Sequence, residues 1–308
     1  MNKPMSSSEH DEFQEPLRPR RRGIYVLPNA VTLAALFAGF YGIVMAMSGR
    51  FESAAIGIFC AAVLDSLDGR IALEDAAGEP YLPKSLTTPD DFRLFLELQC
   101  QADCLITHGG YLRSLAQGRL GNILQIGGHE AGADLPAWRR EHGLPAQPAI
   151  VIASASLDFP MPASIREHGQ TCYIATGADA DPRHVAHWRD QGYEVLLAGS
   201  GRMVEGAALT RQLGERGFRT LYLIAGPHIL DTMVRDERLT LMFQTITHQL
   251  MGGEAFRSLV PGPEMGPFGH LNLVSLYYDA AAPNGAGQWF AQFECAHCAD
   301  NQQQEPTT

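Results

Sequence analysis

The chain has 308 residues, 45% of them hydrophobic and 19% charged, a balance that suits folded domains and excludes wholesale disorder. Its formal net charge of -11 excludes broad nucleic-acid binding, which needs a basic surface against phosphate. Among 6 cysteines only Cys295 and Cys298 form a C-x-x-C, half the ligand set of a structural zinc site, so no metal is expected and the thiols read as free in a reducing compartment.

Residues 1–23 are polar, lack periodicity and end in Arg18, Arg20, Arg21 and Arg22; they read as a disordered, basic-ended tail. Ile24 to Met47 then carries no charged residue and is apolar on all faces, unlike a soluble amphipathic helix. A membrane span needs about 20 apolar residues, so a hydrophobic helix is expected here, with the preceding arginines holding the N-terminus in the cytoplasm. The competing readings are a signal peptide, which this long, late run fits poorly, and a buried core helix. Ser53–Leu64 reads either as a partial second span or as the first strand of the adjoining C-terminal domain; the membrane part is bounded at residues 24–64.

From residue 65 to 296 the pattern is that of an α/β domain, with a short disordered tail over 297–308. Thr88-Pro89-Asp90-Asp91 opens a helix, with a capping hydroxyl, a first-turn proline and acids at the positive dipole end. Strands are expected at Cys104–Thr107, Ala149–Ala153, Cys172–Ala175, Glu194–Ala198 and Leu221–Ile224. Helices are expected from Asp181-Pro182 to Gly192 and over Val204–Arg216, and a hairpin joins Leu271–Tyr278 to Gln288–Phe293. This alternation implies a mostly parallel sheet with flanking helices and a ligand site at the carboxyl ends of its strands. Those ends carry Gly109-Gly110, Gly199/Gly201 and Gly226, which suit a nucleotide cofactor because glycine admits close backbone approach and a helix N-terminus attracts phosphate.

Ser66-Leu67-Asp68-Gly69-Arg70-Ile71-Ala72, Asp103–Ile106 with Gly110 and Arg113, Val151–Ser154, Ala225–Ile229 and Gly252-Gly253 together resemble the reductase domain of the bacterial riboflavin-biosynthesis deaminase/reductase. The resemblance implies a dihydrofolate-reductase-like fold, NADPH as cofactor and hydride transfer to a ribosylated aminopyrimidine. It places Asp68 and Gly69 near the substrate. Gly110, Ser154, Gly226, Pro227, His228, Ile229, Leu230, Asp231 and Thr232 then belong to the cofactor groove. The chain departs from that pattern at Ile224, where the family has a glutamate, at Tyr111 for a threonine, at Ala153 for an aspartate, and at Leu115-Ala116-Gln117-Gly118.

Leu27-Pro28-Asn29, Gly39-Phe40-Tyr41, Gly49-Arg50-Phe51-Glu52 and Val63-Leu64-Asp65 resemble a different family, the bacterial phosphatidylserine synthases among the CDP-alcohol phosphatidyltransferases. Asp65, Asp68, Gly69 and Ala72 match the first half of that family's D-x-x-D-G-x-x-A-R signature. Leu73 replaces its arginine, and the two further aspartates that would complete a divalent-metal site are missing. The seam of the two likenesses is Asp65–Ala72, and Asp68-Gly69 is assigned to the reductase. Expected partners are a small pyrimidine- or pterin-like substrate and the bacterial inner membrane through residues 24–64, with the reductase in the cytoplasm and a homodimer left open. A transferase relic and a non-catalytic nucleotide-binding protein are the alternatives.

Overall fold

The computed structural model describes residues 57–63, 73–74, 80–81, 86–224, 226–249, 259–260, 263–281 and 285–295. The run Ile24–Met47, the seam residues Asp65–Ala72 with Asp68 and Gly69, and Gly252-Gly253 lie outside them. Among the described residues no helix is long and apolar enough to cross a membrane.

The strands are β1 (Gly57–Val63), β2 (Leu73–Glu74), β3 (Pro80–Tyr81), β4 (Cys104–His108), β5 (Ala149–Ala153), β6 (Cys172–Thr176), β7 (Glu194–Leu197), β8 (Thr220–Leu223), β9 (Leu241–Thr247), β10 (Leu271–Asp279) and β11 (Gln288–Cys295). The helices are α1 (Pro89–Cys100), α2 (Gly109–Ala116), α3 (Leu135–Glu141), α4 (Ala163–Glu167), α5 (Pro182–Asp190), α6 (Gly206–Glu215) and α7 (Pro227–Arg235). Nine strands form one sheet in the order β10-β11-β9-β1-β8-β4-β5-β6-β7, and β2 pairs with β3 apart from it. Strands β9 through β7 in that order run parallel; β11 is antiparallel to β9 and to β10. The expected mostly parallel α/β architecture with flanking helices is therefore present.

The apolar runs become strands because both faces of the sheet are covered. Successive side chains alternate between faces, and each face has its own core. Ile106, Val151, Leu221 and Leu223 pack with Leu209 and Leu213 of α6 and with Ile229, Leu230 and Met233 of α7. Leu105, Ile150, Ile152 and Tyr222 face the other way, against Leu98 of α1, Leu112 of α2 and Trp188 of α5. Continuous apolar strands of this kind are what a doubly covered parallel sheet requires.

One boundary moves. Of the two readings open for Ser53–Leu64, the strand is the one realised. β1 pairs with β8 over Gly57–Cys60 and with β9 over Phe59–Val63. The sheet accordingly includes β1, a strand on the N-terminal side of Asp65. A strand that is flanked on both edges needs a short apolar run, and Gly57–Val63 supplies one in a length far too short to span a bilayer.

Local signals explain most element starts. Thr88 caps α1, its Oγ1 accepting the Asp91 N–H at 3.2 Å, and Asp181 caps α5 by accepting from Arg183 N at 2.9 Å. The helix expected from Val204 starts two residues later. Glu205 is its extended N-cap, and Val204 is buried in the core instead. Arg139 is fully buried with no carboxylate partner among the described residues. Its guanidinium donates to the carbonyls of Pro145 (2.6 Å), Cys100 (2.6 Å) and Ala102 (2.7 Å), which ties α3 to the C-terminal end of α1.

Candidate functional site

The order of the strands locates the site. From β4 the chain steps outward through β5, β6 and β7, then returns to insert β8 between β1 and β4. Ligands in open α/β sheets bind outside the carboxyl ends of the strands where the winding reverses. Here that place is the adjoining ends of β4 and β8. After β4 comes His108-Gly109-Gly110 and the start of α2; after β8 comes Gly226 and the start of α7. Two glycine turns and two helix N-termini thus converge, and the positive ends of both helices favour an anion there.

His108, which the sequence did not single out, lies between the two turns. A Cβ added at Gly110 would stand 2.8 Å from its Nδ1, and one at Gly226 would stand 3.4 Å from its Nε2. Burial, and next the Arg113 guanidinium and His228 close by, push its pKa down to about 4, so the ring is neutral at physiological pH. The signal for His108 in the sequence is its place, as the polar residue that ends an apolar strand just before a glycine pair.

The cofactor residues implied by the resemblance divide into two groups. Gly110, Gly226, Pro227 and His228 lie at the convergence, with Gly226 as the extended N-cap of α7. The others have different surroundings. Ile229 and Leu230 point into the core beneath α7. Asp231 pairs with Arg235 one turn on at 2.9 Å. The Thr232 hydroxyl accepts the Gly206 N–H at 3.0 Å and so joins α7 to α6. Ser154 closes the turn after β5, its Oγ accepting the Leu157 N–H at 3.0 Å, and it also fills the space beside Gly109. These side chains hold the turns in place, and the backbone at the starts of α2 and α7 remains at the convergence.

Gly177 after β6 and Gly199 after β7 have an internal reason, whereas Gly201 faces open space. A Cβ at Gly199 would stand 2.1 Å from the Met203 carbonyl oxygen, and one at Gly177 would stand 2.0 Å from that of Gly201. The close backbone approach expected at Gly199 is made by the chain itself. Tyr111, which stands in place of a threonine, is an anchor for the next loop; its hydroxyl donates to Gly121 O at 2.7 Å and accepts from Ile123 N at 3.0 Å. Ile224 is half-buried against the apolar face that carries Tyr222, so no acid is offered at that position.

An acid is offered elsewhere on the same edge. Asp91 in the first turn of α1 is 6% exposed, and the Thr245 hydroxyl near the end of β9 donates to its Oδ1 at 2.5 Å. Burial raises its pKa above the ordinary carboxylate value, with the Thr245 bond pulling the other way. Around it, Gln288 Nε2 donates to Thr88 Oγ1 at 3.0 Å and to Asp279 Oδ2 at 3.2 Å, while the fully buried Gln288 Oε1 has no donor. The sequence shows Asp91 as a dipole-matched first-turn acid. Its spacing with Phe95 and Leu98, at i+4 and i+7, is the signal that it faces the sheet.

Among the described residues no group of histidine, cysteine and acidic side chains is arranged to hold a metal ion. Cys295 closes β11 as a buried residue, and Cys298 lies outside the described residues.

A family model described as CDP-alcohol phosphatidyltransferase matches residues 25–73. Among solved structures the chain is similar to a pyrimidine reductase-like protein from Corynebacterium diphtheriae, at 17% identity and a TM-score of 0.57 over 78% of this chain and 91% of that one. It is also similar to RibD from Acinetobacter baumannii, at 15% identity and a TM-score of 0.54, covering 79% of this chain and 59% of that one. A third is the diaminohydroxyphosphoribosylaminopyrimidine deaminase/5-amino-6-(5-phosphoribosylamino)uracil reductase of Thermotoga maritima, at 14% identity and a TM-score of 0.50, covering 78% and 56%. The chain thus spans less than two thirds of the last two. No curated protein matches the sequence. Two likenesses meet in one chain: the N-terminal fragment resembles the phosphatidyltransferases, and the remainder has the fold of the pyrimidine reductases.

Proposed function

We propose that residues 54–295 form a nicotinamide-dependent reductase acting on a small nitrogen heterocycle, a pyrimidine or pterin. The observation that carries this reading is the convergence of the His108-Gly109-Gly110 and Gly226 turns at the ends of β4 and β8, on the edge that also holds Asp91. A dinucleotide's diphosphate suits two helix N-termini and glycine backbone, and this backbone frame fits NADPH. One side chain, His108, stands in that frame. β8 and β9 are two strand spacings apart, about 10 Å, so a nicotinamide seated over β8 and β1 would bring its reacting face toward a ring held by Asp91.

When bound, the cofactor supplies the hydride; the chain binds, orients and excludes water. Asp91 is the group that would hold the substrate. A carboxyl whose pKa is raised, fixed on one oxygen by Thr245, has its second oxygen available for an N–H or ring nitrogen of an aminopyrimidine. It supplies the acid that Ile224 does not. Asp68 and Gly69 remain the substrate residues that the resemblance implies. Fluorescence titration of the whole protein with NADPH tests the reading: binding in the micromolar to millimolar range supports it, and none at millimolar cofactor ends it. NADPH oxidation over a panel of aminopyrimidines and pterins then separates a reductase from a protein that only binds nucleotide.

The match over residues 25–73 favours a second reading, a phosphatidyltransferase relic. Two aspartates, Asp65 and Asp68, fall short of the carboxylate set that holds metal against a CDP diphosphate. Serine-dependent release of CMP from CDP-diacylglycerol by the purified protein would establish it; no release is expected.

A further inference from the structure

Glycine in a phosphate-binding turn is there so that the ligand can take the space a Cβ would fill. At Gly110 that space is already taken, and at Gly226 the same side chain borders it. His108 Nδ1 and Cε1 lie 2.8 and 2.9 Å from where a Cβ of Gly110 would be, and Nε2 and Cε1 lie 3.4 and 3.7 Å from that of Gly226. One imidazole therefore fills the Cβ space of Gly110 and lies in ordinary van der Waals contact with that of Gly226. Gly109 is closed in the same way, by the Phe159 ring at 2.9 Å and Ser154 Oγ at 3.0 Å, but those two are core and turn residues held in place. His108 differs from them. No hydrogen bond to another described residue fixes its ring, and it is only partly buried at the end of β4.

We propose that His108 is a displaceable plug of the cofactor groove, its ring filling the space at Gly110 and bordering Gly226 until it swings out. The inference rests on the reading of this site as a dinucleotide groove. The ring's charge state agrees with a plug better than with a phosphate ligand. Arg113 on α2, which donates to the Asp158 carbonyl at 2.7 Å, and His228 on α7 are the charged or titratable neighbours, and together with burial they keep His108 neutral. The resting groove thus has an uncharged ring where a ligand for diphosphate would carry a proton. The observed affinity for cofactor is then the intrinsic affinity reduced by the fraction of molecules with the ring out, and a minor state of this kind is populated at roughly 0.1–10%.

The test is NADPH titration of wild type, His108→Ala and His108→Asn by calorimetry and by fluorescence. His108→Ala is expected to bind at least about ten-fold more tightly, with His108→Asn between it and wild type. Weaker binding by His108→Ala would show the ring to be a ligand and overturn the proposal while leaving the cofactor reading intact; unchanged affinity would overturn it too. Absence of NADPH binding in every variant would remove the cofactor reading and the plug with it. A second measurement does not need cofactor. Gly110→Ala should lower the melting temperature in wild type, because its Cβ meets the ring, and His108→Ala should restore it. Failure of that rescue means the ring does not occupy the turn, and the proposal falls.

Discussion

At the residue scale, two titratable groups at the carboxyl edge, His108 and Asp91, are shifted in opposite directions by the same cause, burial. His108 is depressed to about 4 from 6.5. Its stabilising contribution is complete above pH 6.5, because both the folded and unfolded chains then hold it neutral. As pH falls toward 4 the unfolded chain takes up the proton first, and stability is lost across that window. The loss is about 3 kcal/mol by pH 4. His108→Gln should flatten that part of a denaturant-derived stability profile between pH 6.5 and 4. Asp91 is raised above 3.8, so the folded chain keeps its proton where the unfolded chain has lost it. Stability therefore declines as pH rises from 3.8 through the folded pKa. Asp91→Asn should remove this decline and melt no lower than wild type at pH 7, since an amide oxygen can still accept from Thr245. The same variant should keep NADPH binding and weaken an aminopyrimidine ligand by roughly ten- to a hundred-fold, the worth of one charge-assisted hydrogen bond. Equal loss of both ligands in calorimetry would place Asp91 outside the substrate subsite. Neither residue's role was readable from composition. His108 matters because two turns remote in sequence close on it, and Asp91 because Thr245 reaches it from 154 residues away.

At the element scale, local chemistry announces most of the fold. The apolar runs at Cys104–Thr107, Ala149–Ala153 and Cys172–Ala175 become β4, β5 and β6 within a residue, since a strand covered on both faces needs little else. Helix ends are equally well marked, because α2 to α6 are each followed by a glycine at positive φ (Gly118, Gly143, Gly169, Gly192 and Gly217). Helix α7 breaks the rule. It turns through Glu237 at φ 56, with Arg238 N bonded to Met233 O at 2.8 Å in the usual closing pattern. An L side chain in that conformation costs about 1 kcal/mol, and Glu237 is exposed and has nothing to lose. Glu237→Gly should thus raise stability by about 1 kcal/mol, or 2–4 °C in melting temperature for a unit of this size. Since α7 begins at Gly226, a stiffer C-terminal end should leave the groove's affinity for NADPH unchanged, which the same titration checks. What local signals do not announce is the use made of each turn. Gly199 and Gly110 look alike in sequence, yet a Cβ at one would meet a backbone carbonyl and at the other an imidazole.

At the scale of the whole molecule, the question is where the α/β unit begins. The phosphatidyltransferase match covers residues 25–73 and so runs through all of β1, which is at the same time an interior strand of the nine-stranded sheet. Sequence pattern left Ser53–Leu64 open because a short apolar run without charge serves a buried parallel strand and a membrane fragment equally. Pairing decides it: β1 is bonded to β8 on one side and to β9 on the other. This has a direct consequence for truncation. A fragment beginning at Ala54 keeps the strand and should fold, with a cooperative melting transition and soluble expression. One beginning at Asp65 removes an interior strand and leaves β8 and β9 with unpaired facing edges, whose backbone groups would be buried without partners or left open to other chains. It should be insoluble or melt without cooperativity. Adding back the hairpin end does not help, since β10 and β11 lie beyond β9 and cannot enter between β8 and β9 without breaking their own ladder. If the Asp65 fragment folded as well as the Ala54 fragment, β1 would be dispensable. The segment would then belong with the N-terminal likeness and not with the sheet, and the seam would return to Asp65.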